Sequence, residues 1–466
     1  MAVNQQVNAQ VIAACHTSLL AGIVDGKFGS YQRRYLRRST FNALTTHANI
    51  LNVVNNDVSA SKWSATKKTD FARDVAKDAK KIFMLCVYAK LDMRFLRKLL
   101  AKKITDSKLP YRSGPGTPDF QRFRNAQWIL ETPPTFNFGV GNFLNVVPSE
   151  SRMPIRFDED TVLGQGVGGG VHPARIDIEY YTCTPTTLAV DSADPTLTAP
   201  FAIKVSSEEK HARREVEFAH FLHTSNLRDN HITNLLAGFY FQGKTYLISE
   251  LADTSLQSFF VRSNAGFDTA WLRTQIIGLV NALARIHGPT NGTTAYHHDI
   301  KPDNILVFPA DNHRLKFTDW GCAGFDTYSP PQPSQRNDRQ GKSSYLPPEH
   351  MSDQPTSRPH DVWSLACVIV ELLVWFYHGW DPNGLFDFKQ DIEKDDNIGR
   401  LCWFVDAGNT LVRAQTVDTM LTQLSGRSAS MALVVVVVRQ MLNIRPAQRL
   451  TALEARRDLL AIAPNW

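Results

Sequence analysis

The run Tyr296–Leu306, Y-H-H-D-I-K-P-D-N-I-L, places a carboxylate, an amine and an amide within one short stretch. Asp299 can accept or orient the proton of a hydroxyl group. Lys301, two residues on, can stabilise a transferring phosphoryl group, and Asn304, five residues after Asp299, can hold a metal ion from the same loop. Further along, L-K-F-T-D-W-G presents Asp319, an oxygen ligand of the kind Mg²⁺ prefers. Phosphoryl transfer needs positioning and charge neutralisation more than covalent chemistry, and this small set suits it.

Upstream residues extend the constellation. F-A-I-K-V sets Lys204 among Ala202, Ile203 and Val205 in an alternating apolar strand. A cation there reaches the α- and β-phosphates of a nucleotide, although an edge-strand lysine would read the same in isolation. In R-E-V-E-F-A-H-F-L, Glu215 is followed by Phe218, Ala219 and Leu222 at offsets of three, four and seven. One helix face then packs while Glu215 points at Lys204; Glu217 is the rival. The segment G-Q-G-V-G-G-G-V supplies Gly164, Gly166 and Gly169, with Val171 positioned to cover an adenine. Glycines let a hairpin bring N–H groups close to phosphate oxygens without Cβ clashes. A glycine-rich surface loop would look similar, but a strand before it and another expected over 176–181 fit a phosphate-covering hairpin.

In this order the motifs resemble the eukaryotic protein kinase superfamily over residues 155–462. Further stretches carry the resemblance. P-P-E at Pro347–Glu349 looks like the end of an activation segment. H-D-V-W-S-L-A puts Asp361 where the family anchors its catalytic loop. R-P-A-Q-R-L-T puts Arg449 where the family pairs an arginine with the activation-segment glutamate, here Glu349. T-Y-L-I-S-E-L-A-D resembles the hinge, with Ser249 a small gatekeeper and the backbones of Glu250 and Ala252 facing adenine. Ala202 belongs to the same nucleotide site. The resemblance implies an α+β, bilobal kinase-like fold, with a small β-rich lobe over about 155–252 and a large helical lobe over about 253–462. It implies ATP and Mg²⁺ as cofactors and a protein as substrate; Lys301 in D-I-K-P-D-N resembles the serine/threonine branch. Gln127–Trp128 and the V-H-P-A tetrapeptide Val171–Ala174 are similar to a group of filamentous-fungal kinase-domain proteins.

Several positions depart from the pattern. His298 stands where many kinases carry an arginine that receives a phosphorylated activation loop, so activity is expected without that phosphorylation. Lys342 replaces the usual threonine and puts the serine/threonine assignment in doubt. Trp320 replaces a phenylalanine. Asp361 to Arg449 is longer than the family's usual spacing, with the acidic stretch Asp387–Asp396 as its expected exposed part. These departures leave a second class open: a pseudokinase or nucleotide-binding scaffold.

The elements that must position these groups follow from the rest of the chain. With 466 residues and 43% hydrophobic content the chain can bury a sizeable core. Its net charge of +6 hides an asymmetry: up to Arg112 there are 20 Lys and Arg against 7 Asp. That region is expected to dock on the kinase domain or a partner, or to meet an anionic lipid or nucleic-acid surface. Apolar residues from Phe71 to Leu100 recur at helical spacing, so 1–118 reads as a basic, mostly helical region, weakly ordered to residue 60. The Pro/Gly-rich stretch 109–118 ends it, and 119–154 reads as a connecting segment. Six scattered cysteines without a C-x-x-C pair point to a reducing, intracellular setting, cytoplasmic or nuclear. No apolar stretch of about 20 residues is apparent. The longest apolar run, Met431–Val438, reads as a buried strand or helix.

Overall fold

The computed structural model describes residues 2–138, 145–166, 169–183, 189–288, 292–327, 344–351, 358–395, 402–408 and 410–466. The chain divides into two compact units. One comprises Met1–Phe138, Val146–Val162 and His172–Phe201; the other comprises Gly139–Asn145, Leu163–Val171 and Ala202–Trp466. This division does not follow the expected cuts at 118 and 154, because 155–162 and 172–201 group with the N-terminal region.

The first unit is more ordered at its start than its polar composition suggests. Helix Ala2–Ala21 leads into an antiparallel hairpin of Ile23–Phe28 and Tyr31–Leu36, then into helices Arg38–Leu44 and His47–Asn56. In Tyr31–Leu36 the exposed positions are Gln32 and Arg34, while Tyr35 is fully buried. The arginines hide a period of two that the strand uses. Helices Ala65–Asp78, Lys80–Tyr88 and Met93–Ala101 follow. In the middle one, every residue from Ile82 to Val87 is buried, as expected for a helix that is apolar all round. Its start is capped by Asp106, whose carboxylate accepts from the N–H groups of Lys81 and Ile82.

Later segments complete this unit. Ile155–Phe157 pairs in parallel with the end of Ile23–Phe28 and antiparallel with the end of Gly169–Ile176. That last strand ends at Ile176, and a 3-10 turn, Ile178–Tyr180, takes the place of the strand expected over 176–181. Asp177 is wholly buried here and accepts from Tyr35 Oη (3.0 Å), Arg37 Nε (2.9 Å) and Glu179 N (3.2 Å). Burial pushes its carboxyl pKa up, against these hydrogen bonds and the Arg37 charge.

The second unit begins β-rich and becomes helical. Lys244–Ser249 pairs antiparallel with Leu235–Phe241 and with Phe201–Ser206, which sets Leu247 opposite Lys204 and Ser249 opposite Ala202. Helix Glu209–Thr224 accompanies these strands. Helices Thr269–His287, Arg358–His378, Gln415–Ser425, Ala429–Met441 and Ala452–Ile462 share one large apolar core. Helix Arg358–His378 is long and apolar enough to cross a membrane by length and composition, which narrows the expectation that no such stretch exists; 89% of its most apolar window is buried in the protein. The run Met431–Val438 is helical, capped by Ser428. The acidic stretch is not simply exposed: helix Leu385–Asp395 buries Leu385, Phe388 and Ile392, and Asp395 accepts from the Thr416 N–H.

Candidate active site

Strand Phe201–Ser206 delivers Lys204 and helix Glu209–Thr224 delivers Glu215. Lys204 Nζ donates to Glu215 Oε1 at 2.6 Å and to Asp319 Oδ1 at 2.9 Å. Glu217 lies on the exposed face of the same helix. Burial disfavours charge on Lys204, but the two carboxylates outweigh it and hold the ammonium protonated. Burial pushes Glu215 up despite Lys204. For Asp319 burial also acts upward, yet Lys204, His297 and the Gly321 N–H win and hold it below the usual carboxylate range. The Trp320 ring stacks on Phe218 at 3.8 Å and 9°. The larger ring thus ties the segment after Asp319 to the helix that carries Glu215.

The second cluster sits between strands Thr293–Tyr296 and Ile305–Phe308. Asp299 Oδ2 accepts from Lys301 Nζ at 2.8 Å and Asn304 Nδ2 at 2.7 Å; Asn304 Nδ2 also donates to the Asp299 carbonyl at 2.8 Å. The loop is anchored by Asp361, fully buried in helix Arg358–His378. Its Oδ2 accepts from the His297 N–H (2.7 Å) and His287 Nε2 (2.9 Å), and its Oδ1 from the His298 N–H (2.7 Å). Burial would raise the Asp361 pKa, but the hydrogen bond and charge of His287, with His298 and His360, bring it down. These bonds also hold His298 at φ 61°, in the left-handed region that costs a non-glycine residue energy.

His297 joins the two clusters. The Asp299 N–H points at its Nδ1 (3.3 Å), which makes Nδ1 the acceptor and leaves Nε2–H to donate to the Thr318 carbonyl at 3.0 Å. Asp319 follows directly, itself at φ 60°. The His298 ring stacks on Tyr296 (4.1 Å) and on His360 (4.9 Å).

Asn304 gives its amide nitrogen to Asp299, which turns its Oδ1 the other way. Asp319 gives Oδ1 to Lys204. An amide oxygen and a carboxylate oxygen are hard donors that fit Mg²⁺. Among the described residues no group of three or more His, Cys, Asp or Glu is placed to hold a metal ion. A set this sparse suits an ion that keeps waters and substrate oxygens as its other ligands.

The remaining expected residues are dispersed. Gly164–Gly166 and Gly169–Ile176 form the glycine hairpin, with Gly164 opposite Val171 and Gly166 opposite Gly169. A Cβ on Gly169 would stand 1.9 Å from the Val205 carbonyl oxygen, at a φ of 137°. Glu349 and Arg449 form a buried two-pronged pair at 2.7 and 2.9 Å. Glu250 turns its side chain to Lys316 (2.7 Å) and Asn234 (2.7 Å); Ala252 is half-buried nearby in sequence. Lys342 lies outside the described residues. Sequence reasoning missed His287, His297 and Thr318 as parts of the scaffold. Only the adjacency of His297 to Asp299 offered a signal; His287 comes in through tertiary packing alone.

A protein kinase domain family model matches residues 192–459, more than half of the chain, and the chain belongs to that family. The match begins after the glycine hairpin 164–171. Relatives include an Aurora kinase of Yarrowia lipolytica, 32% identical over 210 residues, covering 45% of this chain and 52% of the relative. The serine/threonine-protein kinase ppk21 of Schizosaccharomyces pombe is 27% identical over 261 residues, covering 53% and 44%. Serine/threonine-protein kinase Aurora-1 of Arabidopsis thaliana is 30% identical over 217 residues, covering 47% and 65%. The chain spans about half the length of the curated relatives it matches.

Proposed function

We propose that this chain is a protein kinase that transfers the γ-phosphate of ATP to serine or threonine hydroxyls of protein substrates. The observation that carries the reading is the pairing of two clusters through His297: Lys204, Glu215 and Asp319 on one side, Asp299, Lys301 and Asn304 on the other. Mg²⁺, when bound with the nucleotide, supplies neutralisation of phosphate charge. Asn304 Oδ1 and the Asp319 carboxylate would hold it. Lys204, fixed by Glu215, would bind the α- and β-phosphates. Asp299 would orient the acceptor hydroxyl and take its proton, while Lys301 would offset the charge on the transferring group. Gly164, Gly166, Gly169 and Val171 would cover the nucleotide, with Ala202 and the backbones of Glu250 and Ala252 about the adenine. Glu349 and Arg449 would brace a protein-substrate platform, and Asp361 would keep the loop in register.

The basic N-terminal region is the part proposed to meet an acidic partner or an anionic surface, and an intracellular placement accords with five free cysteines among the described residues. The test is transfer from γ-labelled ATP to the chain itself and to a degenerate peptide library, with Mg²⁺ and with EDTA, for the parent and Asp299→Asn. Metal-dependent labelling of serine or threonine, lost in the variant, is the expected result. ATP binding without transfer would favour the scaffold reading.

A further inference from the structure

Away from both clusters, the second unit has a cavity of about 520 Å³ on the face made by helices Thr269–His287 and Ala452–Ile462. Five arginines line it: Arg228, Arg273, Arg285, Arg314 and Arg456. Two are neutralised, Arg285 by Asp229 (3.1 Å) and Arg314 by Asp311 in a two-pronged pair. Of the other three, Arg228 and Arg456 meet no carboxylate among the described residues. Arg228 leans on the His223 ring (3.1 Å), and Arg273 donates to the backbone oxygens of Ala463 (3.0 Å) and Trp466 (2.9 Å). Among the described residues, the buried Nε of Arg456 has no hydrogen-bond partner.

The floor of the cavity is built rather than incidental. His231 lies against Gly278, where a Cβ would stand 2.0 Å from its Nε2, so only glycine in that helix admits the ring. His231 Nδ1 is 2.7 Å from the Leu315 carbonyl, and burial pushes the imidazole pKa down. The ring is therefore neutral at neutral pH, and the arginines supply the positive charge of the pocket.

Two guanidiniums without a carboxylate, on two different segments around one concavity, repel one another unless an anion sits between them. A buried donor without a partner costs free energy that a bound acceptor would recover. Guanidinium forks match tetrahedral oxyanions, which offer several acceptors at once, and the cavity is far wider than a chloride ion needs. We infer that this pocket binds a phosphate group, held by Arg228 and Arg456. The inference is independent of the phosphotransfer reading, since none of these residues belongs to either cluster.

Calorimetric titration of the full chain, without Mg²⁺, with inorganic phosphate and with a phosphoserine peptide tests it; the unphosphorylated peptide is the reference. At least one phosphorylated probe should bind, more weakly as salt rises. Arg456→Gln and Arg228→Gln should each weaken it about tenfold, and Lys301→Ala should leave it unchanged. Arg456→Gln loses no internal hydrogen bond from its buried Nε, so an unaltered melting temperature is expected alongside the loss. Tighter binding of the peptide would identify a phosphorylated protein segment as the source, and preference for free phosphate a small anion. Binding of neither probe, equal binding by both arginine variants and the parent, or loss in Lys301→Ala would overturn the inference.

Discussion

At the scale of single residues, the groups that stabilise the site are charges that cannot be left alone. Arg449 and Glu349 are both buried, with the guanidinium also donating to the Pro359 and Asn443 carbonyls. Removing one partner leaves the other desolvated and unpaired, which typically costs about 3–5 kcal/mol. Arg449→Met should therefore destabilise strongly in urea unfolding, and adding Glu349→Gln should recover part of the loss. A double variant whose loss is the plain sum of the two single losses would mean the pair is uncoupled. A second residue-scale prediction concerns His360. Burial, then the neighbouring His298, with His350 and Arg449, keep its pKa well below the ordinary imidazole value, against Asp361. Below about pH 6.5 the unfolded chain takes up a proton that the folded chain refuses. Folded-state stability thus falls as the pH is lowered, by up to about 1.4 kcal/mol per unit from this one group. His360→Phe should flatten that slope between pH 7 and pH 5.5.

Residues of this kind also mark what the sequence could express. Asp299, Lys301, Asn304 and Asp319 stand close along the chain or in fixed order, so their grouping was legible from type and spacing. The choice between Glu215 and Glu217 needed the helix phase, which Phe218 and Leu222 set by burying one face. The links made by His287, His297 and Thr318 were not legible, because each depends on a backbone atom meeting a side chain after the fold has formed.

Elements show where local preference and tertiary packing disagree. Gly278 lies inside helix Thr269–His287, where alanine is ordinarily better by about 1 kcal/mol. The ring of His231, 2.0 Å from where the Cβ would be, is not the free end of a flexible chain, since its Nδ1 is held to Leu315. Gly278→Ala should therefore lower the melting temperature rather than raise it. In the glycine hairpin, Gly169 faces backbone rather than side chain, at a φ that disfavours any Cβ. Gly169→Ala should impair nucleotide affinity, whereas Gly164→Ala, with open space around it, should do far less. Measuring nucleotide binding in both variants separates a conformational demand from a general preference for small residues. The glycines alone did not distinguish these positions, since only the register with Val205 does so.

For the whole molecule, the decisive fact is that the chain leaves and re-enters its first compact unit. Motif order suggested a kinase domain starting at residue 155, but Ile155–Phe157 pairs with Phe28, and Asp177 takes hydrogen bonds from Tyr35 and Arg37. A fragment of residues 155–466 would keep every motif residue while stripping that buried carboxylate of two of its three donors, leaving the Glu179 N–H, and baring the inner faces of Phe157 and Tyr180, whose hydroxyl reaches the Leu36 carbonyl. Leaving a buried polar group unsatisfied costs about 1–3 kcal/mol each time, and exposing the apolar faces adds to it. The fragment should accordingly be less soluble and melt earlier than the full chain, by an amount that Asp177→Asn changes little in the fragment but markedly in the full chain. If the fragment matched the full chain in melting temperature, the N-terminal unit would be dispensable to the segments that share it. The expected outcome makes those first residues a structural component of the protein rather than a detachable tail, because the sequence segments flanking the glycine hairpin complete their core.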